Sequence, residues 1–393
     1  MKLAISKIEI KGRQQKFFQK LNEREVNGAV LFNVTDIFYL TGFHFHPTER
    51  PIGFFVDPTQ MTHLFVPALE HEHAEEFAYV DFVHSYPEYP GLRHPMEYLK
   101  DSLSNVQLQG KTVGYDSNGY GSAMGYRGPA LSEILQAESF VSIKGLIEEM
   151  RLVKSSSEIE LIKESCRWGN LAHRLLQKYS KAGLSEIEIT SKATSEATMA
   201  MIETLGPDYK PHGSPANAFF RGQVGPMSAI PHAVTQNIVL KKGDNLVTAA
   251  LCDVWGYKSE LERTMFVEEV SKEQEKYFQL MYEAQEIAFQ NIKPGNPVSS
   301  VDAAVQSFFK ENHVHHLTRH HTGLAIGLLD HEAPFFDLGD NTIMEPGMVL
   351  TVEPGLYVKG LGGFRHSDTV LVTENGMESL TYYPRDLNSL ICF

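Results

Sequence analysis

The sequence is poor in several things. Its 393 residues include only three cysteines, Cys166, Cys252 and Cys392, widely separated. That excludes a disulfide framework or a cysteine-rich zinc module and points to a reducing, cytoplasmic compartment. No apolar run approaches the roughly 18 residues a membrane helix requires, so no membrane partner is expected. The first residues, Met1-Lys2-Leu3-Ala4-Ile5-Ser6-Lys7, lack the apolar core of a secretory signal. Basic charge is also short: 35 Lys and Arg stand against 49 Asp and Glu, a net charge of −14. A nucleic-acid partner, which needs a basic face, is therefore not expected. Low-complexity segments are missing, and the 42% hydrophobic fraction is that of a globular chain. Histidine is plentiful at 17 residues, many in short clusters such as His44/His46 and His320/His321. Most such residues decorate loops, but histidine also titrates near neutrality and ligates metals, so position decides.

The length suggests two domains, which we place at 1–147 and 148–393. In the first, residues 8–25 read as an amphipathic helix, 28–32 as a short strand, and 52–56 and 62–66 as a hairpin around Asp57-Pro58-Thr59. Beyond residue 148 the pattern becomes charged and helical. Ser155-Ser156-Ser157-Glu158 and Ser185-Glu186-Ile187-Glu188 are capping boxes, each opening a helix. A Gly/Pro-rich stretch, 207–231, contains Phe219-Phe220-Arg221-Gly222. Strands follow at 238–251 and 256–267, helices at 273–292 and 300–312, and strands at 348–353 and 369–372. The order helix, helix, strands occurs twice and suggests an internal duplication.

Several segments carry the chemistry. They are Arg151-Leu152-Val153-Lys154-Ser155, Ile230-Pro231-His232-Ala233, residues 256–264 from Gly256-Tyr257 to Arg263-Thr264, residues 321–334 with His331-Glu332-Ala333-Pro334, and Thr351-Val352-Glu353-Pro354-Gly355. In this order they resemble the pita-bread superfamily of prolidase, aminopeptidase P, methionine aminopeptidase and creatinase. The resemblance covers about residues 145–393 and implies an α+β fold. It would comprise an N-terminal creatinase/prolidase-type α/β domain and a C-terminal pita-bread domain with a curved antiparallel sheet.

The peptidases of that superfamily hold two metal ions with two Asp, one His and two Glu. The resemblance puts those five positions at Ala249, Glu260, Leu324, Glu353 and Ser367. Ala and Leu offer no lone pair, and Ser is a poor ligand for a dication. Asp253 would lie about 13 Å along the strand from Ala249, too far to replace it; His366 is the other substitute nearby. No metal and no other cofactor is therefore expected. Glu260-Leu261-Glu262-Arg263-Thr264-Met265-Phe266 is similar to a creatinase segment. That similarity implies Glu262 and Glu353 as substrate carboxylates and His232 as proton shuttle. Tyr39-Leu40-Thr41-Gly42 followed by Arg50 resembles the creatinase segment whose arginine reaches the neighbouring subunit, which implies a homodimer whose N-terminal domain contributes to the neighbouring site.

The expected catalytic residues are thus His232, Glu262 and Glu353, with His331, Arg50, Glu260 and Tyr257 binding a small-molecule substrate. The expected activity is metal-independent hydrolysis of a non-peptide C–N bond (an amidine, guanidine or cyclic amide) in a small cationic or zwitterionic compound, creatinase-like or ectoine-hydrolase-like. Two alternatives stand beside it: an Xaa-Pro dipeptidase or aminopeptidase P-type metallopeptidase, and a catalytically inactive binding scaffold. Plainer readings also exist. His232 could be an ordinary loop histidine, Arg50 a surface arginine, and Glu262-Arg263 a simple ion pair in which Arg263 neutralises a carboxylate. Cys252 has no neighbour that would activate a thiolate and reads as packing.

Overall fold

The computed structural model describes residues 3–121, 125–213 and 215–393. The chain divides into two compact units, Ile5–Met150 and Arg151–Phe393, the latter joined by the first residues.

The N-terminal unit opens with the helix Lys7–Glu23, capped by the Ser6 side chain, which accepts from the Glu9 N–H. A six-stranded mixed sheet follows. Its central strand, Gly28–Leu31, pairs antiparallel with Gly53–Val56 and parallel with Thr112–Tyr115. The hairpin expected around residue 58 is present as Gly53–Val56 and Thr62–Pro67. The apolar run at 37–40 lies in a helix, Val34–Thr41, started by the Asn33 cap and ended by Gly42 at φ 71°.

In the C-terminal unit both capping boxes form. The Ser155 and Ser185 hydroxyls accept from the N–H groups of Glu158 and Glu188, and each glutamate returns a bond to the serine N–H. They begin the helices Ser156–Tyr179 and Glu186–Leu205. The second helix pair is Lys272–Asn291 and Ser299–Glu311. The nine-stranded curved sheet runs in the order Glu332–Phe335, Leu324–Ala325, Val349–Val352, Ser367–Thr373, Tyr257–Val267, Asn245–Val254, Ala216–Phe219. Ile391–Cys392 adds parallel to Tyr257–Val267, and Gly376–Ser379 adds to Ser367–Thr373. The fold is the two-domain α+β arrangement expected.

Register decides which side chains share a face. Glu262 lies opposite Ala249 on one side and Ser367 on the other. Side chains alternate along a strand, so Glu260 and Glu262 share one face while Tyr257, Ser259, Leu261 and Arg263 take the other. That second face is covered by Ser156–Tyr179: Ser165 Oγ donates to the Tyr257 carbonyl, and His173 Nε2 meets Thr248 Oγ1 at 2.7 Å.

The glycine-rich stretch at 360–363 belongs to a hairpin of its own, Gly355–Val358 with Gly362–Arg365. Asn245 Nδ2 donates to the Gly363 carbonyl at 2.7 Å, and the Gly363 N–H donates to Ser228 Oγ at 2.9 Å. A Cβ on Gly363 would meet the Ser228 carbonyl at 2.2 Å. Only glycine permits that approach, and the approach sets where Arg365, two residues on, can reach. Gly363→Ala should therefore cost about 1–3 kcal/mol as overpacking, measured by urea denaturation, whereas Gly360→Ala at the open tip should cost less.

Candidate active site

Three carboxylates converge on the uncovered face of the sheet. Glu260 and Glu262 come from Tyr257–Val267 and Glu353 from the end of Val349–Val352. Each offers an oxygen such that all three lie within 4.8 Å of one another. Glu262 is 2% exposed and Glu260 9%. The Glu353 backbone is pinned by its N–H to the Thr322 carbonyl at 2.7 Å.

One buried cation faces them. Arg365 grips Glu262 with both arms of its guanidinium: Nε donates to Oε2 in a very short contact, and Nη2 donates to Oε1 at 2.7 Å. Its Nη1 donates to the Tyr357 hydroxyl at 2.9 Å. The Tyr357 hydroxyl meets His320 Nε2 at 2.7 Å, while His320 Nδ1 lies 2.8 Å from the His321 carbonyl. A carbonyl only accepts, so Nδ1 carries the proton and Nε2 accepts from tyrosine. Burial and the Arg365 charge push the His320 pKa down to about 4, which keeps that tautomer at neutral pH. Burial lifts the Tyr357 hydroxyl to about 12.

Three carboxylates and one guanidinium leave a surplus of negative charge. Burial, and then the Glu262 charge, raise the Glu260 carboxyl to about 7. Glu353 is raised well above the carboxylate range by burial and by both other glutamates. Ser367 Oγ donates to Glu260 Oε1 at 2.7 Å, which offsets part of the rise. The site takes up a proton or awaits a cation.

His232 follows the 3₁₀ turn Gly225–Ala229 and is exposed. Partial desolvation, then the charges of Arg221 and Arg365 and the neighbouring His331, lower its pKa against a smaller opposing pull from Glu262. It therefore shares the cluster's surroundings. His331 is exposed beside Glu332, whose carboxylate lies 3.4 Å from Lys154 Nζ and 3.5 Å from Arg151 Nη2. Tyr257 is not brought to the cluster: its hydroxyl donates to Glu158 on the helical face at 2.7 Å. Arg50 lies in the N-terminal unit, ion-paired with Glu49 at 2.5 Å and Glu88 at 2.8 Å. Arg263 does not neutralise Glu262; strand alternation turns it to the other face, where it meets Asp368 at 2.8 Å. Arg365, Tyr357, His320 and Arg221 escaped the sequence reading. A guanidinium two residues before Ser367, at the end of Gly362–Arg365, was the one signal available, because extended chain through residues 365–367 turns both side chains the same way.

Comparison with known proteins gives this arrangement a family. The profile of the metallopeptidase family M24 matches residues 160–374, and that of the creatinase/prolidase N-terminal domain matches residues 13–153. The chain belongs to the metallopeptidase family M24. The Xaa-Pro dipeptidase of Pyrococcus furiosus is 29% identical over 386 residues, covering 96% of this chain and 100% of the relative. A solved Xaa-Pro dipeptidase from Bacillus anthracis is 25% identical with a TM-score of 0.79, covering 98% and 100% of the two chains. The prolidase from Pyrococcus horikoshii shares the fold at a TM-score of 0.80 and 24% identity, covering 96% and 99%.

These M24 relatives overturn the expectation of a metal-independent hydrolase of a non-peptide C–N bond, and with it the creatinase-like subtype. They stand with the peptidase alternative. The structure supplies a physical reason. Glu262, the residue that suggested a creatinase-like grip on substrate, spends both oxygens on Arg365 of its own chain. No helix among the described residues is long and apolar enough to cross a membrane.

The M24 family name implies metal, so the donor set matters. Glu262 is flanked by Ala249 and Ser367. Leu324 is buried beside Thr351, whose hydroxyl accepts from the Leu324 N–H at 3.3 Å. His366 is spent on the Thr264 N–H and the Arg385 carbonyl, and Asp253 on the hairpin turn through the Gly256 N–H. Three carboxylates, one already forked by arginine, do not fit a two-ion centre, which draws on more donors of its own. Elemental analysis after manganese loading and gel filtration should return fewer than two ions per chain.

The raised Glu260 carboxyl also gives a pH signature. A folded pKa near 7, above the ordinary 4.5, means the folded protein holds a proton the unfolded chain releases. Its stabilising contribution is complete below about pH 4.5 and is lost as pH rises through about 7. Glu260→Gln should therefore gain stability relative to wild type between pH 5 and pH 8, read from denaturant midpoints.

Proposed function

We propose that the chain hydrolyses short peptides with a free amino terminus, as an Xaa-Pro dipeptidase or aminopeptidase P-type enzyme. The observation that carries this reading is the cluster of Glu260, Glu262 and Glu353, in which Arg365 is ion-paired with Glu262. An α-ammonium is the cation that such a cluster lacks, and Xaa-Pro peptides present one next to the bond to be cut. Names among the relatives, Xaa-Pro dipeptidase foremost, support the same substrate class.

In this reading Arg365 immobilises Glu262 and fixes the floor of the site. Glu260 and Glu353 exchange their shared proton for the substrate ammonium, which restores both to the charged form. His232, neutral at pH 7 because its pKa is lowered, accepts a proton from the attacking water and delivers it to the departing nitrogen. His331, on the exposed loop beside it, binds substrate. A second reading, peptide binding without turnover, is favoured by Arg365 occupying Glu262 and by Ala249 and Leu324 offering no donor atoms.

The test is hydrolysis of Xaa-Pro peptides followed by chromatography, with and without manganese. Release of the amino-terminal residue supports the enzyme. Binding by calorimetry with no product supports the second reading. His232→Ala should lower kcat by about 10²–10⁴-fold, the usual cost of removing a general acid–base group, with little change in binding. N-acetylation of the peptide should abolish both binding and turnover.

A further inference from the structure

The N-terminal unit holds a cavity of its own, with a volume of about 720 Å³. Its place follows from the topology. Gly28–Leu31, Thr112–Tyr115 and Ser139–Ser142 run parallel and side by side, so they end at one edge of the sheet. After Gly28–Leu31 the chain departs toward Gly53–Val56, on one side. After Thr112–Tyr115 it departs toward Ser139–Ser142, on the other. Open sheets hold small ligands in the crevice that such a divergence leaves at the carboxyl ends of the strands. The lining comes from residues just past those ends: Phe32 and Asn33 from the first strand, Asp116, Ser117 and Tyr120 from the second, Lys144 from the third.

Apolar groups make much of the wall. Phe32, Val34, Pro47 and Tyr120 line it, and the rings of Phe32 and Tyr120 meet edge to face with centroids 6.3 Å apart. Among them stands a carboxylate fixed by the backbone. Asp116 Oδ1 accepts from the Phe32 N–H at 3.0 Å and the Ser117 N–H at 2.6 Å. Its Oδ2 accepts from the Phe32 N–H at 2.8 Å and the Asn33 N–H at 2.7 Å. Burial raises the Asp116 carboxyl in spite of these donors. Asp36 and Glu148 also line the cavity, and Lys144 is the only lysine or arginine among the described lining residues. Neither Asp116 nor Lys144 has an ion pair among the described residues. A phosphate-bearing ligand, the frequent occupant of such crevices, would meet three carboxylates here. A molecule with an ammonium group, an apolar body and a single carboxylate matches the lining.

We propose that this cavity binds a free α-amino acid with a bulky apolar side chain. Asp116 receives the ammonium group, Lys144 the carboxylate, and the walls of Phe32, Val34, Pro47 and Tyr120 receive the side chain. Binding here does not depend on the peptide reading. Under that reading the ligand belongs to the class of compound that hydrolysis releases.

The experiment is calorimetry on the full chain with L-phenylalanine, phenethylamine, which lacks the carboxylate, and 3-phenylpropionate, which lacks the ammonium. Wild type is compared with Val34→Trp, Asp116→Asn, Lys144→Met and Glu353→Gln. Val34→Trp should fill the cavity and abolish binding of L-phenylalanine. It removes no polar side chain, so it tests the cavity even if asparagine loosens the loop. Asp116→Asn should raise Kd for L-phenylalanine by about 10–100-fold, the worth of a hydrogen bond to a charged group. Lys144→Met should raise it by about 2–5-fold, as suits an exposed charge, and leave Kd for phenethylamine unchanged. Glu353→Gln should leave all values as they are. Absence of L-phenylalanine binding to wild type overturns the proposal. So does binding that survives Val34→Trp and is lost in Glu353→Gln, which places the ligand at the carboxylate cluster. Equal affinity for 3-phenylpropionate and L-phenylalanine also overturns it, because Asp116 then contributes nothing.

Discussion

The fork between Arg365 and Glu262 is the interaction on which the rest of the site depends. Three carboxylates in one small buried volume repel one another strongly where water cannot screen them. A single guanidinium, itself buried, grips one of them, while burial and repulsion raise the carboxyl groups of the other two. Removing either partner of such a pair leaves an uncompensated buried charge, which is far costlier than losing a surface ion pair. The fork also extends outward. Arg365 donates to Tyr357, Tyr357 to neutral His320, and His320 to a backbone carbonyl, so every polar atom along that line has a defined partner.

The same line explains why the short hairpin Gly355–Val358 with Gly362–Arg365 matters. It is anchored to Asn245 and Ser228 through Gly363. It carries both Tyr357 and Arg365 to the sheet, and Glu353 lies just before it in the chain. Position and charge balance therefore come from one element. Glu186 performs a comparable task for the segments bearing Arg221 and His232, with three backbone N–H groups on one carboxylate. Rigid backbone anchors flank a cluster whose own protonation is adjustable. Such an arrangement suits a site that must exchange a proton for a ligand charge.

Much of this was legible in the residues. The capping boxes at Ser155 and Ser185 announced both helices, because the serine and glutamate spacing satisfies the first-turn N–H groups locally. Alternation along a strand sets Glu260 and Glu262, two residues apart, on one face from spacing alone. The ordered segments around His232, Glu262, His331 and Glu353 led to the M24 fold. The function was misread, because the missing donors at Ala249, Leu324 and Ser367 and the creatinase-like segment around Glu262 were weighed above the likeness to prolidase and aminopeptidase P, and Glu262 proves to be held by Arg365. Tyr257 failed because an odd offset from Glu260 turns it toward Glu158.

What the sequence determined by itself is the set of local elements, the two-domain order and the absence of donor atoms at Ala249 and Leu324. Those follow from side-chain chemistry and periodicities of two or 3.6, which act over a few residues. Only the tertiary structure decided that Arg365 pairs with Glu262 and that Glu353 joins Glu260. Those pairings join residues about a hundred positions apart, and register between distant strands, which no local pattern encodes, selects which charge meets which.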